Sequence, residues 1–205
     1  MKIKVPFVKT MKKNRGRGWC GPVALASLLR HYKDKTPLEE VAKKAGTGKK
    51  GGTPPRGLAF FCLSNGFKVE YVSEYAEFKI NRRGYSKRYR GFIREKERVG
   101  EDERFKKKCE KFSGYKFIKK KPTLKLIEKY LNKKRPILLH FNIAVALGSD
   151  KFAPHYVVVV GYDKNNFYVH NIFPKNKAYQ KISKKVFARA YGSDGMNSPL
   201  IVPYK

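Results

Sequence analysis

Residues 19–32, with the sequence WCGPVALASLLRHY, place a cysteine directly before an almost unbroken apolar run. Apolar residues fall on most sides of the corresponding helix, which predicts a buried helix that begins near Cys20. Pro22 would occupy the first turn, where its missing N–H costs nothing. The N-terminus of a helix offers unpaired N–H groups and partial positive charge, which favour a thiolate. Cys20 is therefore a candidate nucleophile.

Residues 155–171, with the sequence HYVVVVGYDKNNFYVHN, predict a β-hairpin. The β-branched run after His155 is typical of a strand, DKNN at 163–166 forms the turn, and residues 167–171 form the returning strand. This pairing brings Asn171 back to about the level of His155. A histidine there can serve as the base for a thiol, and an Asn amide can hold its ring in one tautomer.

The remaining pattern predicts helices first and strands later. Thr36, Pro37 and Glu39 form a capping-box pattern at the start of a second helix, which ends by Gly46. The further predicted elements are a helix over 55–64, a strand over 67–72, a helix capped by Thr123, a strand over 136–141, a loop over 141–154 and a final helix capped by Ser183. Helices followed by an antiparallel sheet make an α+β fold.

The composition indicates one folded domain with a large positive charge. The 205 residues include 48 Lys and Arg against 16 Asp and Glu, which gives a net charge of +32, and 41% are hydrophobic. A single domain over 1–205 fits this length, and the aromatic content excludes a wholly disordered basic tail. No apolar run approaches the ~18–20 residues that span a bilayer, and the first ten residues are too polar for a secretory signal. We therefore expect a cytoplasmic protein without a transmembrane segment.

A basic insertion is predicted within this domain over residues 79–121. The stretch 79–125 holds 19 Lys or Arg and 6 Asp or Glu, with Tyr and Phe interleaved. One interpretation is a solvated surface. The other is a face that binds nucleic acid or another polyanion without sequence preference, through phosphate contacts and stacking on bases. The composition leaves both interpretations open.

The other cysteines and histidines are expected to have structural roles. Three cysteines without a C-x-x-C pair exclude a disulfide scaffold and argue against a structural zinc site. Cys62 follows two phenylalanines and is expected in the core, whereas the three lysines before Cys109 would favour its thiolate. His140 and His170 lie in apolar strands, where core or cleft-wall positions are expected, and His31 is expected at the surface.

The two quoted stretches together resemble the papain-like cysteine peptidases of the bacteriocin-leader, or double-glycine, type and their soluble relatives. The likeness continues through residues 36–42, 51–53 and 135–139 and through KISKKVFARAY at 181–191. It covers most of the chain apart from about 79–121. It implies a papain-like fold with N-terminal helices packed on a C-terminal antiparallel sheet, a peptide or protein substrate, and no cofactor.

The resemblance also implies a role for each candidate residue. The nucleophile of the CGP motif falls on Cys20, the base on His155, and the third member, usually Asp, on Asn171. His155 lies 135 residues after Cys20 and Asn171 a further 16 residues on, which matches the papain order and its ~130–150-residue spacing. The oxyanion-hole Gln of the family falls on Asn14. The alternatives are acyl transfer to an amine by the same residues, and polyanion binding on a peptidase-like scaffold with weak or no catalysis.

Overall fold

The structure is a computed structural model that describes residues 1–9, 18–48, 52–77, 95–149, 153–171, 177–192 and 198–205. At 95–99, 171 and 192 it describes the backbone. Asn14 and the first part of the predicted basic insertion lie outside the described residues. The elements below refer to the described part of the chain.

Seven helices are present, and most of them begin where the sequence predicts. They are α1 (Cys20–His31), α2 (Leu38–Lys44), α3 (Pro55–Ser64), α4 (Glu95–Cys109), α5 (Leu124–Asn132), α6 (Ile143–Ala146) and α7 (Lys184–Gly192). The side chain of Thr123 caps α5 by accepting from the Leu126 N–H at 3.2 Å, and Ser183 accepts from the Val186 N–H at 3.3 Å. Both predicted caps are therefore confirmed, and the short helix α6 lies inside the segment that was predicted as a loop.

The predicted capping box at Thr36 is wrong. Pro37 is the residue that precedes α2, and it contributes no side-chain hydrogen bond to the helix. The Thr36 hydroxyl instead donates to the carboxylate of Asp34 at 2.6 Å, and the Thr36 N–H donates to the same oxygen at 2.8 Å. The Asp34 carboxylate therefore organises the turn before α2, a role that the box pattern assigned to threonine.

Seven strands form one sheet in the order β2-β1-β7-β3-β4-β5-β6. The strands are β1 (Lys68–Ser73), β2 (Tyr115–Lys119), β3 (Ile137–Asn142), β4 (Pro154–Tyr162), β5 (Asn166–Asn171), β6 (Lys177–Ser183) and β7 (Leu200–Tyr204). All neighbouring pairs are antiparallel except β1 and β2, which are parallel. The predicted α+β class is confirmed, with the correction that the sheet is mixed and that β2, β6 and β7 were not predicted.

Strand β4 and helix α1 form the centre of the core. Each of the four valines at 157–160 is fully buried, because β4 contacts α1 and α5 as well as its neighbouring strands. Helix α1 is buried from Gly21 to Leu29. Burial of one such side chain contributes about 1.5–3 kcal/mol relative to exposure, so the contact between α1 and β4 is strongly held.

Helix α4 and strand β2 belong to the predicted basic insertion, and both pack against the rest of the fold. Helix α4 packs against α3, and β2 extends the sheet beside β1. The buried guanidinium of Arg56 on α3 forms an ion pair with the buried carboxylate of Asp102 on α4. The Arg56 N–H donates to the same carboxylate at 2.9 Å. Residues 95–119 are therefore built into the fold.

The first nine residues form a strap, here called the N-terminal strap, that joins the sheet to α1. The Ile3 N–H donates to the Val160 oxygen at 2.7 Å, beside a β-bulge between Val159 and Gly161. A Cβ atom at Gly161 would lie 2.5 Å from the Met1 oxygen, so only glycine allows this approach. At the other end, the Val8 N–H donates to the Ser27 hydroxyl of α1 at 3.0 Å.

Candidate active site

Cys20 is the first residue of α1 and is partly exposed, whereas the nine residues after it are buried. Trp19 precedes the helix and contributes no side-chain hydrogen bond to its first turn, which also contains no acidic residue. The partial positive charge of the helix end therefore acts on Cys20 without a competing carboxylate in that turn. This is the placement that the sequence predicted.

Gly21 fixes how the first turn of α1 meets the sheet. A Cβ atom at this position would lie 3.2 Å from side-chain atoms of Leu58, Thr53 and Tyr156. Such contacts are tighter than ordinary van der Waals packing, so a larger residue would push the turn away from β4. Cys20 and His155 are each one residue from the contact between Gly21 and Tyr156, so the two candidates lie at the same edge of the molecule.

His155 is the second residue of β4 and is 6% exposed. Burial, together with the nearby charge of His140, lowers the pKa of His155 to about 3. The imidazole is therefore neutral at pH 7, which is the protonation state that a general base requires. Because alternate residues of a strand point to opposite faces, the ring leaves β4 on the face opposite Tyr156. Any contact between this ring and the Cys20 sulfur has to form around the N-terminal end of β4.

Asn171 was predicted to lie at the level of His155 on the neighbouring strand, but the register of the hairpin places it two residues away. His170 pairs with Val158, so the backbone of Asn171 falls beside Val157. The returning strand is shorter than the segment from His155 to the turn, and the bulge in β4 makes up one residue of the difference. Two residues correspond to about 7 Å along a strand. Asn171 is therefore a diagonal neighbour of His155 in the ladder.

Cys62 and Cys109 are both fully buried. Burial raises the pKa of the Cys62 thiol well above its usual range. Burial also raises the pKa of Cys109 to about 12, although the positive charge of Arg56 opposes the shift. The core position of Cys62 is confirmed. The expectation that the preceding lysines favour a Cys109 thiolate is wrong, because the thiol points into the core and donates to the Arg56 oxygen at 3.6 Å.

His140 and His170 are both buried, as predicted. The ring of His140 lies 4.7 Å from that of Tyr156 in an edge-to-face arrangement, and the Tyr156 hydroxyl donates to the Thr53 oxygen at 3.1 Å. Tyr156 and Thr53 therefore form the wall beside the first turn of α1, a role that the sequence analysis missed. The signal was available, since Tyr156 directly follows His155 and carries the one polar group in its β-branched run.

The described segments contain neither a metal-binding cluster nor a membrane-spanning helix. Within them, no group of three or more His, Cys, Asp or Glu side chains is gathered in a way that could hold a metal ion. None of the helices formed by these residues is long and apolar enough to cross a membrane.

Solved structures share this fold at low sequence identity. A double-glycine-motif protease from an AMS/PCAT transporter, solved in complex with its leader peptide, is 19% identical with a TM-score of 0.52, over 99% of this chain and 94% of its own. The peptidase domain of ComA from Streptococcus is 17% identical with a TM-score of 0.56, over 98% and 100%. A C39-like peptidase from Bacillus anthracis is 13% identical with a TM-score of 0.58, over 100% and 98%.

The family follows from the sequence itself. No curated protein matches the chain significantly, but the profile of the Peptidase C39-like family matches residues 2–198. That match includes both α1 with Cys20 and β4 with His155. The papain-like fold of the solved neighbours agrees with it, and this protein belongs to the Peptidase C39-like family.

Proposed function

We propose that this protein is a cysteine peptidase that uses Cys20, His155 and Asn171 as its catalytic triad. The observation that carries the proposal is the close contact between the first turn of α1 and the start of β4, at Gly21 and Tyr156. It supports a site in which a helix-terminal thiol and a buried neutral histidine lie at one edge. Asn171, a diagonal neighbour in the ladder, orients the imidazole.

The proposed reaction has two steps. His155 accepts the Cys20 thiol proton, and the sulfur attacks the peptide carbonyl carbon to form a tetrahedral oxyanion. The oxyanion accepts hydrogen bonds from the Cys20 N–H and from the Asn14 amide. The C–N bond then breaks, His155 gives its proton to the leaving amine, and a thioester remains on Cys20. In the second step His155 takes a proton from water, whose oxygen attacks the thioester and releases the acid and the thiol.

The proposed substrate is a peptide cut after a pair of glycines. A structural neighbour is a double-glycine-motif protease that was solved with its leader peptide. A Cβ atom added at Gly21 would already lie 3.2 Å from side-chain atoms of Tyr156 and Thr53, and this tight packing beside Cys20 favours a substrate with small residues next to the scissile bond. Acyl transfer is the competing outcome, in which an amine replaces water in the second step.

The experiment is hydrolysis of synthetic peptides that contain one Gly-Gly pair, followed by mass spectrometry of the products. The wild type is expected to release the carboxyl product, and Cys20→Ala is expected to abolish cleavage. Cys62→Ala is the matched control, since it removes a buried thiol on α3 that has no role in the proposed chemistry. An amide product with an added amine would assign acyl transfer instead. Cleavage that persists in Cys20→Ala would refute the proposal.

A second candidate function is polyanion binding through the basic surface. The net charge is +32, and described carboxylates such as Asp102 and Glu128 are already paired with cations of the chain. Binding of this kind weakens steeply with salt, because each neutralised phosphate releases counterions. Titration of labelled RNA or DNA at 20 mM and about 150 mM salt tests it, since only binding that survives the shorter Debye length of ~8 Å supports a physiological partner.

A further inference from the structure

A second bulge in the sheet lies next to Asn171, between β5 and β6. Val169 pairs with Gln180 and Asn171 pairs with Lys177, so two residues of β5 span three of β6. The extra length is taken up at Tyr179, whose φ is 50°. A tyrosine rarely adopts this left-handed conformation, because its Cβ atom approaches the backbone. Other contacts must therefore hold the bulge in place.

The ring of His170 supplies one of these contacts. The Tyr179 N–H donates to His170 Nδ1 at 3.3 Å, in the place of a ladder hydrogen bond. Nε2 of the same ring lies 2.9 Å from the Val5 oxygen of the N-terminal strap. Because Nδ1 accepts, Nε2 carries the proton and donates to Val5, and the ring is a neutral, single tautomer. His170 is fully buried, so both bonds are shielded from water.

The hydroxyl of Tyr179 supplies a second contact to the same strap. It accepts from the Val5 N–H at 3.1 Å and lies 3.4 Å and 3.3 Å from the Ile3 and Val5 oxygens. The rings of Tyr179 and His170 meet edge to face, with centroids 4.8 Å apart. The bulged residue is therefore fixed at its backbone by His170 and at its side chain by the strap.

This network connects the elements that carry the candidate triad. His170 precedes Asn171 and pairs with Val158 on β4, the strand whose second residue is His155. The strap that receives its second bond continues to Val8, which binds Ser27 on α1, the helix that begins at Cys20. A displacement of the bulge would therefore move the end of β5 relative to both β4 and α1.

We infer that His170 and Tyr179 are positioning residues, which fix the backbone of Asn171 against β4 so that Asn171 can orient His155. This inference rests on the proposed function, since it requires Asn171 to act in the triad. Neither residue takes part in the proposed chemistry. Misplacement of a catalytic group by about 1 Å can cost ~100-fold in rate, so loss of the network is expected to lower kcat and to leave KM nearly unchanged.

The experiment is a double-mutant cycle between His170→Phe and Asn171→Ala, measured as kcat and KM for a Gly-Gly peptide. His170→Phe keeps an aromatic ring and removes both hydrogen bonds. It is expected to lower kcat about 10- to 100-fold, with KM within twofold, and to have no further effect when Asn171 is already Ala. His170→Asn restores an acceptor near the Nδ1 position and is expected to recover part of the rate. His31→Gln is the control, because His31 also bonds a strap carbonyl, that of Lys4 at 3.1 Å, but is the last residue of α1 and takes no part in the sheet.

Two further measurements keep the test independent of folding and of the substrate. Tyr179→Phe removes the hydroxyl alone, so it is expected to give a smaller loss of kcat if His170→Phe fails to fold. The alkylation rate of Cys20 by iodoacetamide, followed in the same variants, reports on the base without any peptide. It is expected to fall in His170→Phe and not to fall further in the Asn171→Ala background.

The outcomes separate this inference from the proposed function. If His170→Phe lowers kcat equally with Asn171 present or absent, or does not lower it, His170 does not act through Asn171 and the inference is refuted. If the wild type cuts no peptide and Cys20 is alkylated at the same rate in His155→Ala, the proposed function fails. The inference then fails with it, since no base remains for Asn171 to orient.

Discussion

Replacement of His155 by Gln is expected to change how stability depends on pH. Burial lowers the pKa of His155 to about 3, whereas the unfolded chain titrates near 6.5. As the pH falls below 6.5, His155 binds a proton in the unfolded state but stays neutral in the folded state, so the free energy of unfolding decreases. Between pH 7 and pH 4.5 this linkage amounts to about 2.5 kcal/mol, because stability falls by about 1.36 kcal/mol for each pH unit below about 6.5.

The assay is urea unfolding followed by circular dichroism at pH 7 and pH 4.5. The loss of stability between the two values is expected to be about 2.5 kcal/mol smaller in His155→Gln than in the wild type. Val159→Ala, which weakens the same buried strand without removing a titratable group, is the control and is expected to keep the wild-type pH dependence. An equal pH dependence in His155→Gln and wild type would refute the argument that burial holds His155 neutral.

The remaining predictions concern the cysteines, the first turn of α1 and the buried ion pair. Iodoacetamide is expected to label Cys20 before Cys62 and Cys109, since both of these are buried; peptide mapping that finds either of them labelled first would contradict the assignment. Gly21→Ala is expected to lower the free energy of unfolding by about 1–3 kcal/mol through overpacking and to lower peptidase activity. Thermal unfolding measures the first effect and kcat the second. Asp102→Ala is expected to cost about 3–5 kcal/mol, because it leaves the Arg56 charge buried alone; a loss below 1 kcal/mol in urea unfolding would argue against this.

The strongest sequence patterns predicted the elements that carry the candidate site. Helix α1 and strand β4 are mostly apolar, so their burial could be deduced from the chain alone, and the predicted starts, near Cys20 and at His155, agree with the structure to within one residue. The edge strands could not be predicted in this way. Residues 177–183 and 115–119 are rich in lysine because they lie at the two margins of the sheet, where alternate side chains meet solvent. The last strand was also missed, because Pro203 lacks an N–H for a ladder hydrogen bond and so argues against a strand in the sequence pattern.

The details of the site depend on features that no short pattern reveals. The level of Asn171 relative to His155 depends on the lengths of β4 and β5 and on a one-residue bulge in β4, which accommodates the N-terminal strap at Gly161. The protonation state of the Cys109 thiol depends on which side of α4 faces the core. The neighbouring lysines in the sequence indicated a charged environment, whereas Cys109 is buried. Long-range contacts determine the register of Asn171 and the burial of Cys109. Local sequence could therefore identify the candidate residues but could not predict their relative positions.

The proposed mechanism requires that Cys20 forms a covalent acyl intermediate with His155 as its base. Rapid mixing of the protein with a Gly-Gly peptide, acid quenching and intact-protein mass spectrometry test it directly. The expected result is a mass increase equal to the carboxyl product less one water, located on Cys20 by peptide mapping and absent in His155→Ala. Peptide cleavage without such an adduct, or an adduct on another residue, would contradict the account.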